Sequence, residues 1–248
     1  MSAPKLVEFE HGLKVYASSS IEARFLEEEF YRTGSYDDLN LPDQALVVDA
    51  GANIGMFALF IKHRFPDAEI LAFEPAPDTA EVLRQNIRLH DLQSVVVHQV
   101  GLGATGQADA PFTFYPSLPG NSTRHPEQKE SAKAALTRFY SARVAERLYQ
   151  HRDLTVTVER LSTFLAADRP VDLLKVNVQG DELELLLGID SAHWPLIRQA
   201  ILKVQDHENR LAAVCDLLRS HGLHPSAAPA PLLDDELHTY LVRAVRPD

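Results

Sequence analysis

Residues 47–55 read VVDAGANIG, that is Val47, Val48, Asp49, Ala50, Gly51, Ala52, Asn53, Ile54 and Gly55. A short apolar run ends in an acid, and two glycines then lead into NIGMFALFIKHRF, whose apolar spacing is helical. Strand, glycine turn and helix in that order predict the first unit of a parallel sheet. In such sheets a ligand settles beyond the carboxyl ends of the strands, and the first strand's turn normally lies there.

Working outward, strand-like and helix-like stretches alternate. EILAFE is followed by DTAEVLRQNIRLH and then by SVVVHQVGLG. After an interruption over 111–150 come LTVTVERL, VDLLKVNVQ, AILKVQD and a final TYLVRAV, interleaved with DELELLLG and RLAAVCDLLRSHG. The alternation predicts an α/β fold of about seven strands, mostly parallel, with helices on both faces. The last strand should be antiparallel, because only a short segment, HPSAAPAPLL, separates it from the preceding helix; that segment reads as loop. Before the sheet, residues 1–44 read as a small hairpin, LVEF and LKVY, and a helix ending near Gly34. Within 111–150, PFTFYPSLPGNSTRHPEQ reads as loop and KESAKAALTRFYSARVAERLYQ as one strong helix, together a candidate lid. One domain over 1–248 is expected.

The turn does not suit a dinucleotide. Its spacing is G-A-N-I-G rather than G-x-G-x-x-G, and Asp49 would repel a pyrophosphate. An acid suits a ligand carrying an amine and a sulfonium, such as S-adenosylmethionine (AdoMet). Glu74, at the end of the second strand, is placed to take both hydroxyls of a ribose. The bland alternatives are a ligand-free tight turn at the glycines and a surface acid at Glu74.

These blocks, VVDAGANIGMFALF, ILAFEPAPDTAEVLRQNI and VDLLKVNVQGDELELLLGI, resemble the FkbM family of class I AdoMet-dependent methyltransferases. The resemblance runs from about Leu46 to Leu223, and YPSLPGNST is similar to a subset that tailors polyketides and nonribosomal peptides. It implies a Rossmann-like seven-stranded sheet and methyl transfer to a small-molecule or carrier-bound natural-product intermediate, at oxygen or else at an amine nitrogen. It implies a cofactor cradle of Asp49, Gly51, Asn53 and Gly55, with Glu74 on the ribose, Gly101 and Leu102 near the adenine and Asn177 facing the methyl.

The chain departs from that pattern where a base is expected. Gln179 stands where related sequences carry an acid, Lys203 where glutamate is usual, and Gln205 where histidine is usual. Gln205 can orient a hydroxyl but cannot take its proton. His207, just past the strand end, is the candidate substitute base, with a solvated loop histidine as its ordinary alternative. An acceptor that needs no strong base, or an AdoMet-binding scaffold without turnover, also stays open. Asn121, Ser122 and Thr123 of the lid are candidate substrate contacts, although the same residues make ordinary turns. Arg124, His125, Arg138 and Arg143 could give the lid a basic face. Asn177, Gln179, Gln205 and Lys203 form a poor donor set for a hard divalent cation, so no metal is expected.

Composition narrows the partners. A formal net charge of −11 disfavours nucleic acid, no run is long and apolar enough for a membrane, and the start MSAPKLVEFEHG lacks a signal peptide's features, which places the expected location in the cytoplasm. Cys215, the single cysteine, sits in an apolar helical pattern and reads as a buried thiol. Oligomeric state is not legible.

Overall fold

The computed structural model describes residues 4–138 and 140–247. The chain opens with an antiparallel hairpin, β1 (Lys5–Glu8) and β2 (Lys14–Ala17), and the helix α1 (Ser20–Tyr31), which Ser19 caps through Oγ to the Glu22 backbone N–H. Next come β3 (Leu46–Ala50), α2 (Met56–Arg64), β4 (Glu69–Phe73), α3 (Pro77–Leu89) and β5 (Val95–His98). They are followed by β6 (Gly101–Leu102), β7 (Gln107–Phe114), α4 (Glu130–Leu136), α5 (Ala142–Leu148) and β8 (Arg152–Glu159). The chain ends with β9 (Leu173–Val176), α6 (Glu182–Leu187), β10 (Gln199–Gln205), α7 (Arg210–Ser220), β11 (His224–Pro229) and β12 (Thr239–Val245).

The main sheet has seven strands in the order β11-β12-β10-β9-β3-β4-β5. β10, β9, β3, β4 and β5 pair in parallel, and β12 runs antiparallel to both β10 and β11. Alternate residues of each strand feed opposite cores. Val47, Ile70, Leu173 and Ile201 join the core under α1, α2 and α3, whereas Val48, Phe73, Leu174 and Leu202 join the one under α6 and α7. That two-sided burial explains why the central strands read as continuous apolar runs. Among the described residues no helix is long and apolar enough to cross a membrane.

Three expectations are corrected. LTVTVERL does form a strand, but β8 belongs to a separate three-stranded sheet with β6 and β7. Its place in the main sheet is taken by β11, within the segment read as loop. Pro225 and Pro229 obscured it, yet β11 is an edge strand with β12 as its neighbour, and an edge tolerates proline. The expected long helix is two short ones, α4 and α5, with Ser141 capping α5 by accepting from the Val144 N–H; Phe139, within that expectation, lies outside the described residues.

The hairpin is tied to the motif turn by Asn86 of α3. Its Oδ1 accepts from the Tyr16 N–H at 2.6 Å, while Nδ2 donates to the carbonyls of Tyr16 (2.9 Å) and Ile54 (2.8 Å). The N-terminal segment is thereby fixed beside the carboxyl ends of the strands.

Candidate active site

The parallel strands β3, β4, β5, β9 and β10 all end at one cavity of about 440 Å³. Strand order reverses between β3 and β9, the switch point at which open α/β sheets bind ligands. The floor is the motif turn. Gly51 and Ala52 donate their N–H groups to the Phe73 carbonyl at 3.0 and 2.9 Å, and Asn177 N–H donates to the Ala50 carbonyl at 3.0 Å. Gly51 has φ +78°, and a Cβ there would sit 2.0 Å from the Asn177 carbonyl oxygen, so only glycine lets β3 and β9 approach this closely. Gly55 (φ +88°) serves packing instead. Its missing Cβ leaves room for Leu83 Cδ1, and Gly55 is not among the cavity-lining residues.

Asp49 does not face the cavity as a free acid. It is fully buried and receives Lys175 Nζ at 2.8 Å; the same ammonium donates to the Gly51 carbonyl at 2.8 Å and lies 5.6 Å from the Phe57 ring. The charge argument drawn from Asp49 is therefore weakened, because Lys175 neutralises it. Glu74 does line the cavity. Its Oε2 accepts from the Asn53 N–H and its Oε1 from the Ala76 N–H, both at 3.0 Å, which leaves acceptor capacity on each oxygen. Burial pushes its carboxyl up to about 7. Gly101 and Leu102 line the same end.

At the other end Asn177, Gln179 and Gln205 line the wall together. Gln179, in the left-handed region at φ +58°, donates from Nε2 to Asn177 Oδ1 at 2.9 Å and accepts at Oε1 from Lys129 Nζ at 2.6 Å. Its strained backbone is held by Thr123, whose hydroxyl donates to the Gln179 carbonyl at 2.6 Å. Of the lid trio, Asn121 and Ser122 line the cavity; Thr123 is fully buried beneath it and supports the loop. Ser122 Oγ accepts from the Tyr115 N–H at 3.1 Å. Three of the four lid cations are engaged internally, Arg124 and His125 with Asp181 and Arg138 with Asp234 and Glu236, whereas Arg143 of α5 is exposed and has no ion-pair partner among the described residues. His207 is exposed, at a bend beyond β10, and is not among the cavity-lining residues. The base role expected of it has no geometric support.

Sequence reasoning missed several wall residues. Lys129 is buried, its ammonium pushed down to about 8 by desolvation against the opposing pull of Glu182. Lys203 pairs with Glu29 of α1, so an acid returns to this region from another element. Glu22, also on α1, accepts at Oε1 from Asn53 Nδ2 (2.6 Å) and the Gly120 N–H (2.7 Å), and burial pushes it up to about 7. Glu22, Leu26 and Glu29 share one helix face, so acids among apolar spacing were the available signal. Four cavity-lining residues carry a buried polar atom without a partner: Glu22 Oε2, Glu29 Oε2, Asn53 Oδ1 and Glu182 Oε2. Unmet buried acceptors on several elements that line one cavity are a mark of a ligand site.

A doubly wound sheet with an acidic, acceptor-rich cavity at its switch point has the architecture of class I methyltransferases. Among solved structures, the chain aligns with a methyltransferase FkbM from Methylobacillus flagellatus at a TM-score of 0.55 and 13% identity, covering 88% of this chain and 47% of that one. The methyltransferase FkbM domain matches residues 49–224, and the chain belongs to the FkbM methyltransferase family. It is 34% identical to Methyltransferase 1 of Beauveria bassiana over 99% of this chain and 100% of the relative, and 39% identical to methyltransferase sdnD of Sordaria araneosa over 89% of each. Identity to the 31-O-demethyl-FK506 methyltransferase FkbM of Streptomyces tacrolimicus is 31%, over 94% of each chain.

Proposed function

We propose that this enzyme uses AdoMet to methylate an oxygen of a small-molecule or carrier-bound natural-product intermediate. The observation that carries the cofactor reading is Glu74, a buried cavity-wall carboxylate with spare acceptor capacity at the end of β4, together with the unmet acceptors beside it. AdoMet supplies an electrophilic methyl group on a sulfonium, open to in-line displacement. Glu74 accepts from the ribose hydroxyls, Gly51 admits close backbone approach, and Gly101 and Leu102 border the adenine. Asn177, Gln179 and Gln205 orient the acceptor as neutral hydrogen-bonding groups, and fixing reactants in this way is worth up to about 7–11 kcal/mol.

Lys129 takes the hydroxyl proton on its Nζ lone pair. It replaces His207 in this role because it is buried at the cavity wall and bonded to Gln179, and because burial, against the opposing pull of Glu182, pushes its ammonium down to about 8, so that the neutral amine that acts as base becomes populated as pH approaches 8. Lys129→Met is expected to lower turnover at least tenfold without changing AdoMet affinity, whereas His207→Ala should stay within about twofold of wild type. Transfer of labelled methyl from AdoMet to panels of alcohols, sugars, amines and carboxylates tests both variants. Product at an amine nitrogen alone would move the second reading, which the neutrality of Gln179 and Gln205 favours, to the front. The net charge of −11 disfavours a nucleic acid as the acceptor.

The two raised carboxyls set a pH dependence. A carboxyl lifted from 4.5 to about 7 contributes stability below pH 4.5 that is lost as pH rises through about 7. A cationic ligand or a donor hydroxyl favours the ionised form. AdoMet affinity should therefore climb between about pH 5.5 and 7.5. A flat profile would remove Glu22 and Glu74 from contact with the ligand.

A further inference from the structure

α1 lies wholly outside the segment matched by the family, yet it delivers Glu22 to the cofactor end of the cavity. Glu22 is a three-way junction. Its Oε1 holds Asn53 Nδ2 of the motif turn and the Gly120 N–H of the lid, and a Cβ at Gly120 would lie 2.8 Å from that oxygen and 2.9 Å from Asn53 Nδ2. The second oxygen, Oε2, is buried with no partner, and so is Asn53 Oδ1. Two neighbouring acceptors, one of them a carboxylate oxygen, lack any donor. A buried carboxylate oxygen left in that state is costly unless a cationic donor meets it.

The surrounding groups narrow the cation. Asp49, the acid of the motif turn, is matched by Lys175, and Glu29 by Lys203. Glu22 has no ion-pair partner among the described residues. Asn53 connects it to Glu74, since the Asn53 backbone N–H reaches Glu74 and its side chain reaches Glu22. Glu74 and Glu22 thus stand on either side of Asn53, so a ligand whose ribose meets Glu74 has Glu22 within one residue's span. An ammonium, with three donors and a positive charge, is the complement of Glu22 Oε2 and Asn53 Oδ1.

We propose that Glu22, with Asn53 Oδ1, binds the α-ammonium of the methionine part of AdoMet, so that the N-terminal helix and the lid loop it tethers are completed as a site by the cofactor. The inference rests on the reading of the cavity as an AdoMet site. Calorimetric titration of wild type and Glu22→Gln with three ligands tests it: AdoMet, S-adenosylhomocysteine, which keeps the ammonium and lacks the sulfonium, and 5′-methylthioadenosine, which lacks the amino-acid chain. Gln retains an oxygen for Asn53 and Gly120 and removes the charge.

The expected result is a loss of about tenfold or more for AdoMet and S-adenosylhomocysteine, with 5′-methylthioadenosine within about twofold of wild type. Loss for AdoMet alone would assign Glu22 to the sulfonium and overturn the proposal. Equal loss for all three would make Glu22 a strut of the fold, and unchanged affinities would leave its ligand to be an acceptor amine; both outcomes overturn it while the AdoMet reading stands. Wild type that binds none of the three overturns the proposal and that reading together.

Discussion

Lys175→Met is expected to destabilise the fold by about 3–5 kcal/mol, the scale of removing one partner from a buried ion pair. The substitution leaves Asp49 fully buried with its charge unopposed, and Asp49 Oδ2 already has no partner. It also removes the donor that Lys175 gives to the Gly51 carbonyl, which helps to fix the turn at the end of β3. Urea unfolding reads the effect. Asp49→Asn combined with Lys175→Met should lose much less than the two single changes added together, because the uncompensated charge is gone. Additive losses would mean that the pair does not interact as the 2.8 Å contact requires.

The second large effect is at Gly51. Its alanine variant must place a methyl carbon 2.0 Å from the Asn177 carbonyl oxygen and 2.8 Å from the Asn177 carbonyl carbon, both backbone atoms of β9's continuation. No rotamer relieves that overlap, so the strand ends have to separate, and with them the cavity floor. A loss of at least about 2–3 kcal/mol is expected, together with loss of AdoMet binding. Gly12 is the internal control. It has φ +88° with nothing within 4 Å of a built Cβ, so its alanine variant carries backbone strain alone, about 1 kcal/mol, and keeps the site. Equal effects at Gly12 and Gly51 would show that the close approach of β3 and β9 is unimportant.

The fold was legible where one local signal sufficed. VVDAGANIG, Glu74 after the second strand, and the apolar runs of the central strands are each set by neighbours in sequence, and each lies where the pattern predicts. Sheet membership was not legible. β8 has eight residues and β11 six, so length does not tell them from main-sheet strands, and which of them joins the main sheet depends on their pairing partners, β7 and β6 for β8 and β12 for β11, rather than on alternation. Prolines in β11 misled because proline excludes a residue from a sheet's interior and not from its edge. The break between α4 and α5 was hidden by a continuous helical composition.

The candidate site divides in the same way. Gly51, Asn53, Glu74, Asn177, Gln179 and Gln205 meet at one cavity because they all lie at or just beyond strand ends. Asp49 and Gly55 belong to the same motif but act on packing partners, Lys175 and Leu83, which only the tertiary structure supplies. Glu22, Glu29 and Lys129 come from the N-terminal helix and the lid, across separations of 31 residues for Glu22 with Asn53 and 50 for Lys129 with Gln179. No spacing rule spans such gaps. The substitutions at Lys203 and Gln205 looked like simple loss; the structure places Glu29 against Lys203 and Lys129 against Gln179, so charge has been rearranged around the cavity.

The cofactor assignment is the claim on which the rest depends, and calorimetric titration of the purified protein with AdoMet and NADH, alongside Glu74→Ala, tests it most directly. The account predicts micromolar binding of AdoMet, no binding of NADH, and a weakening of about 1–3 kcal/mol in the variant, the scale of hydrogen bonds to a charged group. NADH binding, or a folded wild-type protein that takes up no AdoMet, would contradict it.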